Sequence, residues 1–291
     1  MSATPKSAVS LGRFGVWSAE LRWAGPEVGV ASVRELETLG FGAAWTPGGV
    51  DDRVLDDIDG LLSATKTIAL ATGILNVWKH KPEDVGLWWK TQTPERQGRV
   101  MLGLGVSHAP LIGDAYARPL ELMRGYVQQL RDAGLPRENL CVAALGPKML
   151  ELCAETTAGA HPYLVTPEHT ELARKIMGPD ALLAPEQGVI LETDPAKARE
   201  LGRQALTNYL RLPNYLNNWG RLGYSEEDLQ GSDRLVDALF AWGDAATIAK
   251  RVRAHIDAGA DHVCIQAIRG PIGTDMPGVQ ATWREVASAL L

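Results

Sequence analysis

Glycine and histidine, rather than acidic side chains, mark the places in this sequence where chemistry could occur. Gly103-Leu104-Gly105 is followed by Ser107 and His108, and Leu145-Gly146-Pro147 is followed by Lys148. Glycines let backbone N–H groups approach a ligand closely, and a helix that begins at the second segment offers its free N–H groups to a phosphate. The imidazole of His108 titrates near neutral pH, which makes it a candidate general acid or base. Tight strand packing around the glycines and a solvated Lys148 are the plain structural alternatives.

The motifs of metal, nucleophile and nucleotide chemistry are missing from the sequence. His108, His161 and His169 show neither HxH nor HExxH spacing and have no accompanying acidic cluster, so we predict no metal site. GxSxG and GxxxxGK[ST] are absent, and the three cysteines, which lack CxxC spacing, are predicted to be reduced core residues. This inventory predicts that a bound organic cofactor carries the reactive centre while backbone and apolar walls orient it.

The overall charge argues against polyanionic partners. The chain has 291 residues, with 35 acidic and 29 basic side chains and a formal net charge of −6. Because the chain lacks a cationic field, we do not expect it to bind nucleic acid or an anionic membrane. We expect a small-molecule ligand instead. The first ten residues lack the apolar stretch of a signal peptide, and no apolar run of about 18 residues occurs, so we predict a cytoplasmic protein.

Short apolar runs alternate with amphipathic segments along the chain, the pattern of parallel strands joined by crossover helices. The eight predicted strands are Arg13–Ser18, Gly42–Trp45, Ile68–Val77, Val100–Leu104, Leu140–Ala144, Ala160–Val165, Gly188–Leu191 and Val263–Gln266. The predicted helices include a stretch that ends at Gly40, followed by Val54–Ala64, Glu83–Gln97, Pro119–Ala133, Pro147–Glu155, Thr170–Met177 and a helix from Pro195 to about Tyr209. This α/β pattern predicts a (β/α)₈ TIM barrel in a single domain over residues 1–291.

About 70 residues separate the last two predicted strands, which is more than one crossover needs. They include Pro213–Tyr224 and Leu235–Trp242, and we predict a helical elaboration of the barrel there. In such a barrel the active site lies at the carboxyl ends of the strands. That rule makes Trp45 a candidate wall and selects Thr46, Thr166 and His169 as candidate substrate contacts. An aromatic residue at a strand end is at least as often core filler.

Seven segments of the chain, taken in order, are informative together. They are RFGVWS, GFGAAWTPGG, IALATGILNVW, RVMLGLGVSHAP, AALGPKMLELCAE, GAHPYLVTPEHT and AWGDAATIAKRVRAHIDAGADHVCIQ. Over nearly the whole chain they resemble the luciferase-like flavin and deazaflavin oxidoreductases. Within that superfamily the chain looks most like the actinobacterial branch that uses coenzyme F-420, a 5-deazaflavin that passes a hydride between its C5 and a substrate.

The resemblance implies a luciferase-like barrel with the isoalloxazine-like ring across the strand ends, and a non-prolyl cis peptide at Gly73-Ile74 in a bulge on the third strand. It also implies a homodimer. The residues that match the cofactor contacts are Gly73, Ile74, Leu75 and Asn76 around the bulge, Gly105, Val106 and Ser107 after the fourth strand, and Ala143, Ala144, Leu145, Gly146 and Pro147 after the fifth.

The sequence departs from the sugar-phosphate dehydrogenase branch, which has a histidine after the second strand and a glutamate after the fourth. Here Thr46-Pro47-Gly48 and His108 stand at those places. We therefore do not expect glucose 6-phosphate as substrate, and we predict His108 as the catalytic proton relay beside Trp45. An FMN-dependent monooxygenase that uses reduced flavin and O₂ is the first alternative, since the same pocket can hold either ring. A barrel that only binds a partner, without catalysis, is the second.

Overall fold

The computed structural model describes residues 7–48 and 51–291. Its strands are β1 (Phe14–Trp17), β2 (Ala43–Gly48), β3 (Ala69–Asn76), β4 (Val100–Gly105), β5 (Leu140–Val142), β6 (Gly159–Ala160), β7 (Leu182–Leu183), β8 (Glu186–Leu191), β9 (Phe240–Gly243) and β10 (Val263–Ala267). Its α-helices are α1 (Glu20–Trp23), α2 (Pro26–Leu39), α3 (Val54–Ala64), α4 (Pro82–Thr91), α5 (Pro94–Gln97), α6 (Ala109–Ile112), α7 (Pro119–Asp132), α8 (Pro147–Thr156), α9 (Pro167–Met177), α10 (Pro195–Leu206), α11 (Pro213–Arg221), α12 (Asp233–Leu239), α13 (Ala245–Asp257) and α14 (Met276–Leu290). Short 3-10 turns cover Gly113–Ala115, Arg137–Asn139, Tyr209–Arg211 and Asp228–Gln230.

The parallel sheet closes on itself because β7 and β8 are two halves of one extended segment. Strands β1 to β6 pair in chain order, and β7 adds to the β6 edge. Two residues later β8 pairs with β10, which in turn pairs with β1. Eight strand positions therefore form a closed ring with helices outside, which confirms the predicted (β/α)₈ barrel.

Several element boundaries differ from the predicted ones. The sixth strand is short because the chain turns away through Pro162, which has no N–H to donate, and Leu164, which has a φ of 52°. The strand predicted from Gly188 begins six residues earlier, at the start of β7. The predicted helix Glu83–Gln97 is divided into α4 and α5 because Pro94 begins a new helix.

The segment between β8 and β10 contains a strand that the sequence pattern did not reveal. Leu235–Trp242, predicted as helical, is helix only to Leu239, and its last residues belong to β9. This strand pairs with β8, with Phe240 opposite Gly188. Helices α10, α11 and α12 pack with it around the Leu164 turn, where Trp219 Nε1 donates to the Leu164 carbonyl over 3.1 Å. The helices of this segment thereby lie beside the barrel mouth.

Strand alternation separates the core into an outer and an inner layer. Outward side chains such as Val16, Leu70 and Leu102 pack against the helices. Inward side chains are mostly small, among them Ala43 and Ala71, together with tryptophans at the carboxyl side. The three cysteines are buried and free, as predicted. The described part of the chain contains no helix that could span a membrane.

Candidate active site at the barrel mouth

Strand β3 is interrupted by a bulge at the mouth of the barrel. Its register against β4 shifts between Ala71 and Leu75, and the Gly73-Ile74 peptide bond is cis, as the resemblance implied. Trp17 Nε1 donates to the Gly73 carbonyl over 2.9 Å. A Cβ at position 73 would lie 2.4 Å from that indole nitrogen, so only glycine fits beside Trp17.

Small and apolar residues form a half-buried row across the carboxyl ends of β3, β4 and β5. The row, called the ring face below, consists of Gly73, Ile74, Val106, Ser107, Ala143 and Leu145. Gly105 supports it from below, because a Cβ there would lie 2.4 Å from Ile74 Cδ1 and the isoleucine side chain occupies that space instead. Among the other predicted cofactor residues, Leu75, Asn76 and Ala144 are also buried, so they shape this surface without facing solvent.

Asn76 holds two loops together rather than pointing outward. Its Oδ1 accepts from the Trp78 backbone N–H over 3.0 Å, and Trp78 Nε1 donates to the Val106 carbonyl over 2.7 Å. The loop after β3 is thereby tied to the loop after β4, next to Ser107, which has a φ of 56°.

Donors and a cation converge at one end of the ring face. Helix α8 begins there, with Gly146 as N-cap and Pro147 at its first position, so the positive end of the helix dipole faces the mouth. A guanidinium nitrogen of Arg221, from α11, lies 3.6 Å from the position of a Cβ on Gly146. Asn218 Oδ1 accepts from Arg221 over 3.3 Å, while its buried Nδ2 has no hydrogen-bond partner. We call Gly146, Arg221 and Asn218 the anion end.

Sequence reasoning missed Arg221 and Asn218. The stretch Pro213–Tyr224 was interpreted only as part of an elaboration, although it contains several polar side chains at helical spacing. Their position beside α8 depends on how α11 packs across the mouth, and no local pattern specifies that. Lys148, which the sequence suggested for the same purpose, is exposed, and so is Arg221, but the guanidinium of Arg221 is the cation that lies beside Gly146.

Thr166 and His169, which were predicted as substrate contacts, make hydrogen bonds to the backbone near the mouth. The Thr166 hydroxyl caps α9 by accepting from the His169 backbone N–H. His169 Nε2 donates over 2.9 Å to the carbonyl of Leu145, and burial lowers the pKa of this histidine, which is consistent with a neutral donor. Both side chains are fully buried. His169 therefore fixes the loop that presents Gly146.

His108 lies where an acid or base could act. It is half-buried at the start of α6, and its ring centroid is 5.5 Å from that of Tyr215. Burial lowers its pKa, so it is neutral at pH 7. Its Nδ1 is 2.8 Å from Asn214 Nδ2 and 3.1 Å from Asn214 Oδ1. The Asn214 amide can turn either its Oδ1 or its Nδ2 toward Nδ1, so it can pair with either tautomer of the imidazole. Nε2 is then free to accept in one tautomer and to donate in the other.

Trp45 lies in the floor of the mouth and does not form its wall. It is fully buried and stacks on His161 with ring centroids 4.1 Å apart, while its Nε1 donates to His262 Nε2 over 3.0 Å. Burial lowers the pKa of both histidines to about 4. The aromatic side chain that reaches the bulge is Trp17. Thr46, which was predicted as a substrate contact, follows Trp45 and alternates to the outer face of β2. It is buried with an unpaired hydroxyl.

Three tyrosines lie across the barrel mouth, and the sequence analysis identified none of them. Tyr163 lies between Trp17 and Tyr209, with centroid distances of 5.8 and 5.5 Å, and Tyr209 contacts Tyr215 edge-on at 5.0 Å. The Tyr163 hydroxyl donates to Gln266 Oε1 over 2.7 Å. Beside it is a cavity of about 190 Å³, lined among others by Tyr163, Leu164, Tyr209, Phe240 and Gln266. Within the described residues no cluster of histidine, cysteine or carboxylate side chains has the geometry of a metal site.

Several solved structures share the fold of this chain. An F420-dependent secondary alcohol dehydrogenase in complex with an F420–acetone adduct superimposes with a TM-score of 0.72 at 16% identity, over 97% of this chain and 99% of that one. The F420-dependent tetrahydromethanopterin reductase of Methanopyrus kandleri gives 0.69 at 16% identity, over 97% and 98%. The FMN complex of the oxygenating constituent of 3,6-diketocamphane monooxygenase from Pseudomonas putida gives 0.68 at 13% identity, over 96% and 98%. Identities this low show a shared fold.

Comparison with sequence-family models assigns the chain to a family, which the shared fold alone does not do. A search of the curated proteins finds no match to this chain. The model of the luciferase-like monooxygenase family, however, matches residues 10–262, which is most of the chain. The protein belongs to the luciferase-like monooxygenase family.

Proposed function

We propose that this chain is an oxidoreductase that transfers a hydride between the deazaflavin coenzyme F-420 and a small organic substrate. The observation that carries the proposal is the junction of the anion end with the ring face. A tricyclic cofactor with a phosphate-bearing tail needs an apolar surface beside a site for negative charge, and the two lie next to each other here. Two of the superimposed structures are described as F420-dependent enzymes, which supports the choice of cofactor.

The residues of the anion end fit a phosphate. The buried Nδ2 of Asn218 has no acceptor, and an unsatisfied buried donor costs about 1–3 kcal/mol. A phosphate oxygen would satisfy it while Arg221 and the N-terminus of α8 balance the charge. Gly73, Ile74 and Val106 would support the ring. When bound, F-420 supplies the site that accepts or donates the hydride.

The chain itself must then control a proton. Oxidation of an alcohol removes a hydride from carbon and a proton from oxygen, and the reverse reaction returns both. His108 Nε2 accepts that proton while Nδ1–H donates to Asn214 Oδ1, which gives an imidazolium, and in the reverse reaction the imidazolium returns the proton from Nε2 while the Nδ1–H···Oδ1 hydrogen bond is kept. The lowered pKa of His108 keeps the uncharged ring available at neutral pH.

A second candidate function is an FMN-dependent monooxygenase that uses reduced flavin and O₂. The family name and the FMN complex of the diketocamphane enzyme favour it, and the ring face would support an isoalloxazine equally well. Oxygen consumption distinguishes the two, because only the monooxygenase takes up O₂ when reduced FMN is supplied.

Fluorescence titration of the purified chain with F-420 and with FMN tests the proposal directly. We expect saturable binding of F-420 at micromolar concentration and no O₂ uptake with the reduced cofactor. Tighter binding of FMN with O₂ uptake would favour the monooxygenase. If neither cofactor changes fluorescence, the hydride-transfer proposal fails, and the alternative of a barrel that binds a partner without catalysis gains support.

Assembly and location extend the proposal. From the resemblance we propose a homodimer, and from the sequence pattern a single domain that acts in the cytoplasm on a small molecule. Light scattering coupled to size-exclusion chromatography measures the mass in solution, and a monomer at micromolar concentration would contradict the dimer.

A further inference from the structure

The cavity beside Tyr163 has a carboxylate in its lining that the proposed function does not use. Glu20, the first residue of α1, lines this cavity and is only 8% exposed. Its Oε2 accepts from the Ser18 hydroxyl over 2.6 Å, and its Oε1 accepts from the Gly273 backbone N–H over 3.4 Å. Both donors are neutral, and no basic side chain of the described residues forms an ion pair with Glu20. The charge of this carboxylate is therefore not balanced by a neighbour.

The other charged side chains that line the cavity balance each other. They are Arg269 and Asp275. Arg269 Nε donates to Asp275 Oδ2 over 3.0 Å, and this hydrogen bond lowers the pKa of the Asp275 carboxyl. Glu186, a buried residue of β8 that interacts with Tyr163, adds no charge at pH 7, because burial raises its pKa to about 8. Among the residues that the structure describes, the lining therefore carries one unbalanced negative charge.

Aromatic rings form much of the apolar lining of the same cavity. Tyr163, Tyr209 and Phe240 all line it, and the ring centroids of Tyr163 and Tyr209 are 5.5 Å apart. The face of an aromatic ring attracts a cation, and the attraction is stronger where water is excluded. A carboxylate adds a charge-assisted hydrogen bond to an N–H donor that is itself charged. Together these groups suit an ammonium ion, and an uncharged or anionic group would gain neither attraction.

The cavity lies next to the ring face. The ring centroid of Tyr163 is 5.8 Å from that of Trp17, and Trp17 Nε1 donates to the carbonyl of Gly73, which belongs to the ring face. The lining also includes Gln266 and Ala267 at the carboxyl end of β10. A molecule anchored in the cavity would therefore approach the ring face from the β10 side of the mouth.

We propose that this cavity binds the protonated amino group of a small organic molecule and that Glu20 is the residue that pairs with the ammonium. The inference rests on the proposed function only in identifying that molecule as the substrate. It predicts that the protein prefers an amine to an alcohol or a carboxylic acid of similar shape.

Three probes of similar shape test the inference. At pH 7 cyclohexylamine is an ammonium ion, cyclohexanol is uncharged and cyclohexanecarboxylate is an anion. Binding of each probe to the full-length protein, with and without F-420, is followed by ligand-observed NMR at low ionic strength. For the wild type we expect the amine to bind at least about fivefold more tightly than the alcohol, and the carboxylate to bind more weakly than either.

Two variants and a control locate the binding. Glu20→Gln keeps the size and an acceptor for the Gly273 N–H but removes the charge, so the amine and the alcohol should bind within about twofold of each other. Ala205→Phe places a ring in the cavity, which Ala205 lines, and should abolish binding of all three probes. Glu285→Gln, the same change at an exposed position of α14, should keep the wild-type preference.

Several results would overturn the inference. Equal binding of the amine and the alcohol by the wild type would do so, as would the absence of binding of any probe. Tightest binding of the carboxylate would show that Arg269, and not Glu20, attracts the ligand. An amine preference that persists in Glu20→Gln or in Ala205→Phe would place the ammonium elsewhere. If Glu20→Gln does not fold, the three probes with the wild type and with Ala205→Phe decide.

The same titrations separate this inference from the proposed function. An amine preference without binding of F-420 or FMN would leave the inference standing and refute the proposed function. Cofactor binding without an amine preference would refute the inference and leave the proposed function standing.

Discussion

The anion end and the floor of the mouth lie at the same face of the barrel but differ in the charge of their groups. The anion end offers the N-terminus of α8, the guanidinium of Arg221 and an unpaired donor on Asn218. The floor contains Trp45, stacked on His161 and hydrogen-bonded to His262. Burial lowers the pKa of both histidines to about 4. At neutral pH the floor therefore contains polar side chains but carries no charge.

This difference separates two requirements of a cofactor enzyme, which are a charged site for the phosphate and an uncharged interior. Charge is placed at the edge, where water and helix dipoles stabilise it, and the interior is kept neutral, where an unpaired charge would be costly. Mutations at the edge should therefore change affinity at nearly constant stability, and mutations in the floor should change stability first. The predictions below test that separation, beginning with the largest effect.

Replacing Trp45 by alanine should be the most damaging change to the floor. It removes a fully buried ring, its stack on His161 and the donor to His262. Large-to-small changes of this kind cost about 3–5 kcal/mol. Urea denaturation measures the loss, and the control is Trp23→Ala, at a residue that is 41% exposed, for which we expect less than about 1 kcal/mol. Equal losses at the two positions would contradict the account of the floor.

The misplacement of Trp45 shows what the sequence could and could not predict. The barrel and most strands follow from apolar periodicity, and the cis bond followed from a resemblance. The second strand, however, was predicted to end at Trp45, which would have left this residue at the rim. The strand continues to Gly48, and the Pro47 carbonyl accepts from Arg22 Nη1 over 2.6 Å. Trp45 is therefore an inward mid-strand residue.

Residues that are far in sequence from the groups they contact could not be predicted from local sequence patterns. Arg221 reaches Gly146 only because α11 crosses the mouth. Tertiary packing, rather than propensity or spacing, decides that this side chain meets the site.

Acid should destabilise the protein through its buried histidines. The folded pKa values of His161 and His262 are about 4 and that of His255 is about 3, each lowered mainly by burial. The unfolded chain binds these protons near pH 6.5, so the stabilisation is complete above that pH and is lost as pH falls toward 4. Each histidine contributes a slope of up to about 1.4 kcal/mol per pH unit.

Urea denaturation at pH 7, 6 and 5 measures this acid effect. We expect the free energy of unfolding to decrease by several kcal/mol over that range. Glu186 acts in the opposite direction, because its folded pKa is raised to about 8, and its contribution weakens as pH rises from about 4.3 through 8. Glu186→Gln should therefore be more stable than wild type at pH 8 and indistinguishable from it at pH 4. An unchanged midpoint between pH 7 and pH 5 would show that the histidines are not held neutral.

At the anion end, Arg221→Ala should weaken binding of F-420 without unfolding the protein. A hydrogen bond to a charged group contributes about 1.5–3 kcal/mol, which corresponds to roughly 10- to 150-fold in Kd. The matched control is Arg131→Ala, an exposed arginine of α7, which should bind as wild type does. Fluorescence titration gives both constants. If the two variants bind alike, the phosphate does not lie beside Arg221.

Lys148→Ala should have the smallest effect, although the sequence alone suggested this lysine for the phosphate. It occupies the second position of α8, where a cation opposes the helix dipole, and its side chain is exposed. An exposed ammonium attracts a nearby anion only weakly, by up to about 1 kcal/mol, and salt screens it. We expect a loss of affinity below about fivefold that disappears in 0.5 M NaCl. Arg221 is exposed as well, but it lies beside Gly146, so Arg221→Ala should remove a direct hydrogen bond to the phosphate and part of its loss should persist in salt. A large, salt-resistant loss for Lys148→Ala would move the phosphate outward from Arg221 to the solvent side of the helix.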